Sequence, residues 1–157
     1  MSTRPMLLIK EFLTTIGMEY DEQLEKEQSI LLELEGGVIL TFWVRDSHIL
    51  VVSPLATVEK KDEAAIYAEC LTENFAAFPD MNRFFSLDKE SRELVLMASW
   101  GVAETQFETF LKDMTDFAEL AQKWHSKLVH GKGTEEKPKA EPQPVDSHAH
   151  TMVMHKA

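Results

Sequence analysis

The sequence predicts an α+β fold, in which a twisted antiparallel sheet packs on helices in the element order α-βββ-α-ββ-α. Three observations lead to this prediction. Residues 29–55 contain three consecutive runs of β-branched and aromatic residues separated by turn-forming residues. Two shorter strand-like runs follow later in the chain. Apolar residues at helical spacing occur before, between and after these two groups of strands.

The first helix is predicted over residues 3–17. Thr3 suits the N-cap, Pro5 suits the first turn, and Gly17 ends the helix. Apolar residues follow helical spacing on one side at Met6, Ile9, Leu13 and Ile16, and Leu8 and Phe12 widen this stripe. An apolar arc of that width can contact more than one surface.

The pair Gly36-Gly37 and the triplet at 45–47 divide residues 29–55 into three strands, as tight hairpins would. Side chains alternate between the two faces of a strand. One face is predicted to be apolar throughout and consists of Ile30, Leu32, Leu34, Val38, Leu40, Phe42 and Val44. The opposite face mixes Leu31, Ile39 and Trp43 with charged residues. A sheet with one solvated face alternates cleanly, so we expect another element or molecule to cover part of this mixed face.

The remaining elements follow from capping residues and periodicity. Asp62 suits the N-cap of a second helix over 63–77, and strands are predicted at 83–87 and 93–100. The last helix, 103–130, keeps a period of 3.6 residues over seven turns and ends at Gly131. Residues 1–131 are therefore predicted to form one domain. Residues 132–157 are rich in Pro, Glu and Lys without periodicity, which predicts a disordered C-terminal tail.

Charge and composition narrow the possible partners. The net charge is −11, and the tail is neutral, so residues 1–130 carry all of it. Such an acidic body argues against nucleic acid or an anionic membrane as a partner, although acidity that only maintains solubility remains an alternative. The single cysteine, Cys70, excludes an intrachain disulfide and favours a reducing compartment. We find no signal peptide and no apolar stretch of membrane-spanning length, and we expect a cytoplasmic protein.

No pattern in the sequence indicates an enzyme or a cofactor. The pair Gly36-Gly37 is a hairpin rather than a phosphate-binding loop, no serine lies in a nucleophile elbow, and Cys70 has no local histidine. One group in the tail has side chains that suit copper or nickel: His148, His150, Met152, Met154 and His155. Metal handling by this tail is one alternative, and a tail that merely contains these residues is the other.

Three local strings carry a resemblance to a known family. They are the first helix ending in Ile16-Gly17, the middle-helix run Glu69–Phe75 with its Leu71-x-x-Asn74 pattern, and the closing helix from Phe107 to Trp124. With the acidic composition and the element order, the chain resembles a class I type III secretion chaperone of the Tir-chaperone family over residues 4–128. The short loop between Phe78 and Phe84 and the long tail depart from the family pattern.

The resemblance implies a homodimeric chaperone. It would bind the N-terminal segment of a secreted effector protein, keep that segment extended, and present it to the secretion-apparatus ATPase. Strand addition at a sheet edge, with side chains entering apolar grooves, is a known mode of peptide recognition. The predicted effector-binding residues are Leu8, Phe12, Leu31, Ile39 and Trp43. By analogy with the family, the predicted dimer-interface residues are Leu71, Phe75, Phe78, Phe84 and Phe85.

Two alternatives come from other functional classes. One is an interaction or regulatory domain of the same fold that binds a folded partner. The other is the metal-handling protein described above, whose globular part only carries the tail. In addition, the apolar residues of the mixed face could all be covered within a single chain, in which case they would be core residues.

Overall fold

The structure is a computed structural model that describes residues 3–20, 26–78, 83–103 and 105–131, together with the backbone of 153–155. Its helices are α1 (Arg4–Thr15), α2 (Glu63–Ala77) and α3 (Phe107–His130). Its strands are β1 (Ser29–Glu33), β2 (Ile39–Val44), β3 (His48–Thr57), β4 (Arg83–Leu87), β5 (Glu93–Gly101) and β6 (Val153–His155). The predicted α+β class and the element order of the first eight elements are confirmed.

All strands join one antiparallel sheet in the order β4-β5-β3-β2-β1-β6. Strands β1, β2 and β3 are joined by consecutive hairpins, as predicted. Helix α2 then leads to β4 at the far edge of the sheet, and β5 returns between β4 and β3. The β1–β2 turn is closed by the Leu34 N–H, which donates to the Val38 carbonyl at 2.7 Å. Gly36 and Gly37 both have positive φ, at 87° and 79°. Glycine adopts this backbone conformation at little cost, which explains why the pair lies at this turn.

The core lies between the sheet and the helices α1 and α3. Every member of the predicted apolar face of β1 and β2 is buried, as are Leu94, Leu96 and Trp100 of β5. We call this the inner face of the sheet. Phe12 of α1 connects the layers, because its ring lies 6.1 Å from Phe42 of the sheet and 5.9 Å from Phe110 of α3. Rings at these separations add to the stabilisation from burial.

Helix α2 lies at the β4 edge of the sheet, next to α3. The side-chain amide of Asn74 makes two hydrogen bonds to the backbone of Phe85 in β4. Glu69 of α2 pairs with Lys127 of α3, and Cys70 faces inward and is buried. These contacts fix α2 in place and leave its opposite side free for other contacts.

Three residues of the C-terminal tail form a strand, whereas the sequence predicted a disordered tail. Val153–His155 form β6, which pairs with β1. An edge strand such as β1 presents unpaired backbone groups, and an extended segment can satisfy them without any periodic apolar pattern of its own. Residues 132–152, 156 and 157 lie outside the described residues, so disorder there stays a prediction. None of the described helices is long and apolar enough to cross a membrane.

Candidate functional site

The face of the sheet opposite the core is largely apolar along two rows of side chains but carries no helix within the described residues. Residues that pair across neighbouring strands share a face, so one row can be followed across five strands. It runs through Leu31, Thr41, Val52, Met97 and Phe84. A second, shorter row contains Trp43 and Leu50. We call these seven residues the outer face; most are half-buried, and Phe84 is exposed.

A cleft of about 250 Å³ opens on the other side of the sheet, between α1 and α3. Its floor is formed by inner-face leucines of β1 and β2, and its walls by apolar residues of the two helices. The apolar lining consists of Phe12, Ile16, Leu32, Leu34, Leu40, Leu111, Met114 and Ala118. Glu35, Thr115, Glu119 and Gln122 supply its polar part. An apolar cleft with a polar rim is suited to the apolar side chains of a peptide.

Strand β1 borders both surfaces. Leu31 belongs to the outer face, whereas Leu32 belongs to the floor of the cleft. Among the strands from β1 to β5, β1 is at one end of the sheet, and in the structure β6 adds to its free edge. A strand at this edge alternates its side chains between the two faces, so an extended segment docked here would address the outer face and the cleft at once.

The exposed side of α2 carries a second apolar surface. Leu71 and Phe75 are four residues apart, which places them on one side of the helix, and Phe78 follows directly after the helix end. Their side chains are 67%, 82% and 67% exposed. We call these three residues the α2 stripe. Exposure of two phenylalanines at the end of one helix is unusual for a monomer and marks an interaction surface.

The predicted effector-binding residues fall on two sides of the sheet. Leu31, Ile39 and Trp43 lie on the side away from the helices, with Ile39 at 38% exposed. Leu8 and Phe12 of α1 are buried on the helical side, and only Phe12 of these two lines the cleft. The two groups do not lie on one continuous surface, because the sheet separates them. The edge of β1 is the feature that relates them.

The predicted dimer-interface residues also separate into two groups. The α2 stripe and Phe84, which is 37% exposed, are available for contact. Phe85 is instead buried within the chain, where its ring lies 4.8 Å from that of Trp124. The alternation of β4 explains this difference, since adjacent residues of a strand point to opposite faces.

Sequence reasoning missed several residues that complete these surfaces. Leu111 belongs to the apolar stripe of the last helix by its spacing and was interpreted as a core residue, and Ala118 lies outside that stripe; both line the cleft. Leu50 and Val52 belong to the outer face, and strict alternation in β3 was the signal that could have found them. Pairing across strands, which periodicity does not reveal, brings them next to Trp43 and Thr41.

The surroundings of Cys70 lower the reactivity of its thiol. Burial, and to a lesser extent the neighbouring Glu69 carboxylate, raise the pKa of the Cys70 thiol to about 11. A thiol with such a pKa is a poor nucleophile near neutral pH. Within the described residues, no group of three or more His, Cys, Asp or Glu side chains could hold a metal ion. His148, His150 and Met152 lie outside the described residues, and only the backbone of Met154 and His155 is described.

Several solved structures have the same fold. A chain of the ExsC–ExsE complex matches with a TM-score of 0.62 at 18% identity, over 78% of this chain and 91% of that chain. The Yersinia pestis type III secretion chaperone SycH, in complex with a fragment of YscM2, gives 0.58 at 14% identity over 78% and 99%. YbjN of E. coli, a proposed transcription regulator, gives 0.55 at 18% identity over 80% and 93%. At these identities the similarity establishes the fold, and fold alone does not decide function.

The sequence of the chain decides the family. The model of the Tir chaperone protein (CesT) family matches residues 7–125. The chain belongs to this family. The resemblance predicted from the sequence is thereby confirmed, and the match supports a chaperone rather than the metal-handling alternative. It covers α1 through most of α3 and ends before β6. No curated protein sequence matches the chain.

Proposed function

We propose that this type III secretion chaperone binds an unfolded N-terminal segment of a secreted effector as an added strand on the edge of β1. Alternate side chains of the segment would contact the cleft and the outer face. The observation that carries the proposal is the position of β1, which borders an apolar surface on each of its two sides and accepts an added strand at its free edge. A folded partner cannot contact both sides of a sheet, whereas an extended segment on its edge does.

Backbone pairing and side-chain burial have different roles in this arrangement. Main-chain hydrogen bonds to β1 provide affinity for any extended segment, and the cleft and outer face select which side chains it carries. Glu35 and Glu119 at the cleft and the net charge of −11 favour a neutral or basic segment. We therefore expect the affinity to fall modestly as salt screens these charges.

The α2 stripe is proposed to form a homodimer interface, extended by Phe84 of the outer face. An isologous dimer brings the same patch of two chains together, and the three large exposed side chains of the α2 stripe provide its apolar centre. We further propose that the dimer acts in the cytoplasm and delivers the effector to the secretion-apparatus ATPase. The family assignment supports this role. We propose no enzymatic activity and no cofactor.

Capture of effectors tests the binding proposal. The tagged protein is expressed in cells with an active type III secretion system, and co-purified effectors are quantified by mass spectrometry. In the variant Ala118→Trp, a large side chain occupies the cleft, and we expect at least a tenfold loss of the captured effector, equal to about 1.4 kcal/mol. The matched control Val129→Trp places the same residue at an exposed position of α3 outside the cleft lining.

The result also separates the chaperone from a domain that binds folded partners. The captured effector is truncated from its N-terminus, and the shortest fragment that binds is examined by circular dichroism. A fragment that is unfolded alone supports the proposal. Equal capture by wild type and Ala118→Trp, or a requirement for a folded effector domain, contradicts it.

A further inference from the structure

We propose that Val153–His155 of this chain are the resident occupant of the β1 edge, and that an effector segment has to displace them. The inference deepens the proposed function and rests on it for the identity of the competitor. In this arrangement the C-terminal tail competes with the effector for the binding site. The pairing that carries it is antiparallel, with Val153 opposite Glu33, Met154 opposite Leu32 and His155 opposite Leu31.

The position of this pairing is the reason for assigning it a role. Leu31 and Leu32 are the two β1 residues that border the outer face and the cleft. The segment therefore occupies the same backbone groups that an added effector strand would need. Strand pairing at one edge is exclusive, since each N–H and C=O of β1 on that side pairs with a single neighbour.

The other edge of the sheet is not equally available. At β4, the backbone N–H and carbonyl of Phe85 are already paired with Asn74 at 2.7 Å and 3.0 Å. An extended segment can therefore form a continuous run of backbone hydrogen bonds at the β1 edge. The tail is also neutral overall, unlike the body with its charge of −11, so net charge repulsion does not keep it away.

The connection is long enough for the chain to reach its own edge. Residues 132–152 join α3 to β6, and a chain of that length extends to at most ~70 Å, which is well beyond the size of a small domain. Tethering also gives the tail an effective concentration on the order of millimolar. A short strand of three residues can thus occupy the edge without being hard to displace. The segment lies outside residues 7–125, which match the family, and so it is an addition to the shared fold.

The expected strength of the competition follows from occupancy. If the tail occupies the edge for between half and nine tenths of the time, the apparent affinity for an effector is lowered about two- to tenfold. Competition of this strength would prevent weakly binding segments from occupying the β1 edge, whereas a tightly binding segment would still displace the tail. Its effect should be independent of protein concentration, because the tail acts within its own chain.

Hydrogen–deuterium exchange of the full-length protein tests the occupancy without any effector. The backbone groups of Leu31 and Glu33 face β6, because those of the alternate residues, such as Leu34, pair with β2. The variant His155→Pro removes the backbone N–H of β6 that faces Leu31 and should disrupt the pairing. We expect a peptide covering residues 29–34 to take up deuterium faster in this variant than in wild type. The control Ala140→Pro introduces the same residue earlier in the tail and should leave the exchange unchanged. Identical exchange of residues 29–34 in wild type and His155→Pro overturns the proposal.

A synthetic peptide tests the competition. A fluorescent peptide of residues 147–157 is titrated against the full-length wild type, His155→Pro and Ala140→Pro proteins. We expect His155→Pro to bind it at least threefold more tightly than the other two, because its edge is vacant. Equal binding by all three proteins, or no binding to any, overturns the proposal.

The effector captured in the preceding experiment completes the test. We expect His155→Pro to bind it two- to tenfold more tightly than wild type, and unchanged affinity overturns the proposal. The two proposals fail separately. Loss of tail pairing with retained effector capture removes only the tail as an occupant, whereas tail pairing without any effector capture removes the proposed function.

Discussion

The side chain of Asn74 pairs with the backbone of Phe85 in the way that a neighbouring strand would. Its Oδ1 accepts from the Phe85 N–H at 2.7 Å, and its Nδ2 donates to the Phe85 carbonyl at 3.0 Å. One helical residue thereby satisfies both backbone groups of an edge strand that would otherwise be unpaired. The same contact fixes α2, and with it the α2 stripe, against the sheet.

The first prediction concerns this contact. We expect Asn74→Ala to lower the free energy of unfolding by about 1–3 kcal/mol, because two hydrogen bonds are lost at a partly buried position. Urea unfolding measures the change. In the control Thr72→Ala, an exposed side chain loses its bond to the Ala68 carbonyl, and the effect should stay within about 0.5 kcal/mol. Equal stability of the two variants would show that water replaces the amide of Asn74 without cost.

The second prediction concerns the proposed homodimer. We expect Phe75→Asp to convert the dimer into a folded monomer, because Phe75 is 82% exposed in the single chain and a charge at a dimer interface would be buried without a partner. Sedimentation velocity gives the mass, and circular dichroism the fold. Val129→Asp, at an exposed position of α3, is the control and should remain dimeric. A wild-type protein that sediments as a monomer at tens of micromolar would contradict the prediction (roughly the range in which obligate dimers stay associated).

The third prediction compares two neighbours in β2 that point to opposite faces. Phe42 is buried in the core, and Phe42→Ala should cost about 3–5 kcal/mol of stability. Trp43 is half-buried on the outer face, and Trp43→Ala should leave the fold intact while weakening effector binding tenfold or more. Urea unfolding and effector capture are measured for both variants. The idea is falsified if Trp43→Ala unfolds the protein while the remaining folded fraction binds normally.

A fourth prediction follows from the burial of Cys70. Its pKa is raised from 9.0 in an exposed thiol to about 11 in the folded chain, mainly by burial. The thiol therefore contributes stability that is complete below pH 9 and is lost as the pH rises towards 11, because the unfolded state ionises first. This pKa difference between the folded and unfolded states corresponds to about 2–3 kcal/mol. The difference in unfolding free energy between wild type and Cys70→Ala should shrink by this amount between pH 8 and pH 11. A constant difference would mean that the thiolate is accommodated in the folded protein.

Sequence periodicity predicted the layers of this fold because burial imposes the period. The inner face of β1 and β2 was predicted residue by residue, since each member has to be apolar to pack against α1 and α3. The α2 stripe was also recognised, but spacing alone cannot distinguish a core stripe from an exposed one. Only the structure shows that Cys70 faces inward while Phe75 faces outward.

The candidate site was harder to predict because it is made by contacts between distant parts of the chain. Phe12 and Leu31 were assigned to one groove, yet the sheet lies between them, and only their common neighbour β1 relates them. The cleft depends on the separation of α1 and α3, which no local pattern encodes. The pairing of β6 depends on the free edge of β1 rather than on a strand signal in the tail.

The cover that Asn74 places on β4 has a consequence for how copies of this protein can assemble. A sheet with two open edges can stack the first edge of one molecule on the last edge of the next, and such a contact repeats without end as a filament. Here the Phe85 backbone is already paired, so a β1-to-β4 junction has no continuous ladder to form. A further strand can be added to the sheet at the β1 edge alone. A second molecule that pairs there therefore offers no β4 edge for a third, and a fibre cannot grow by edge-to-edge pairing.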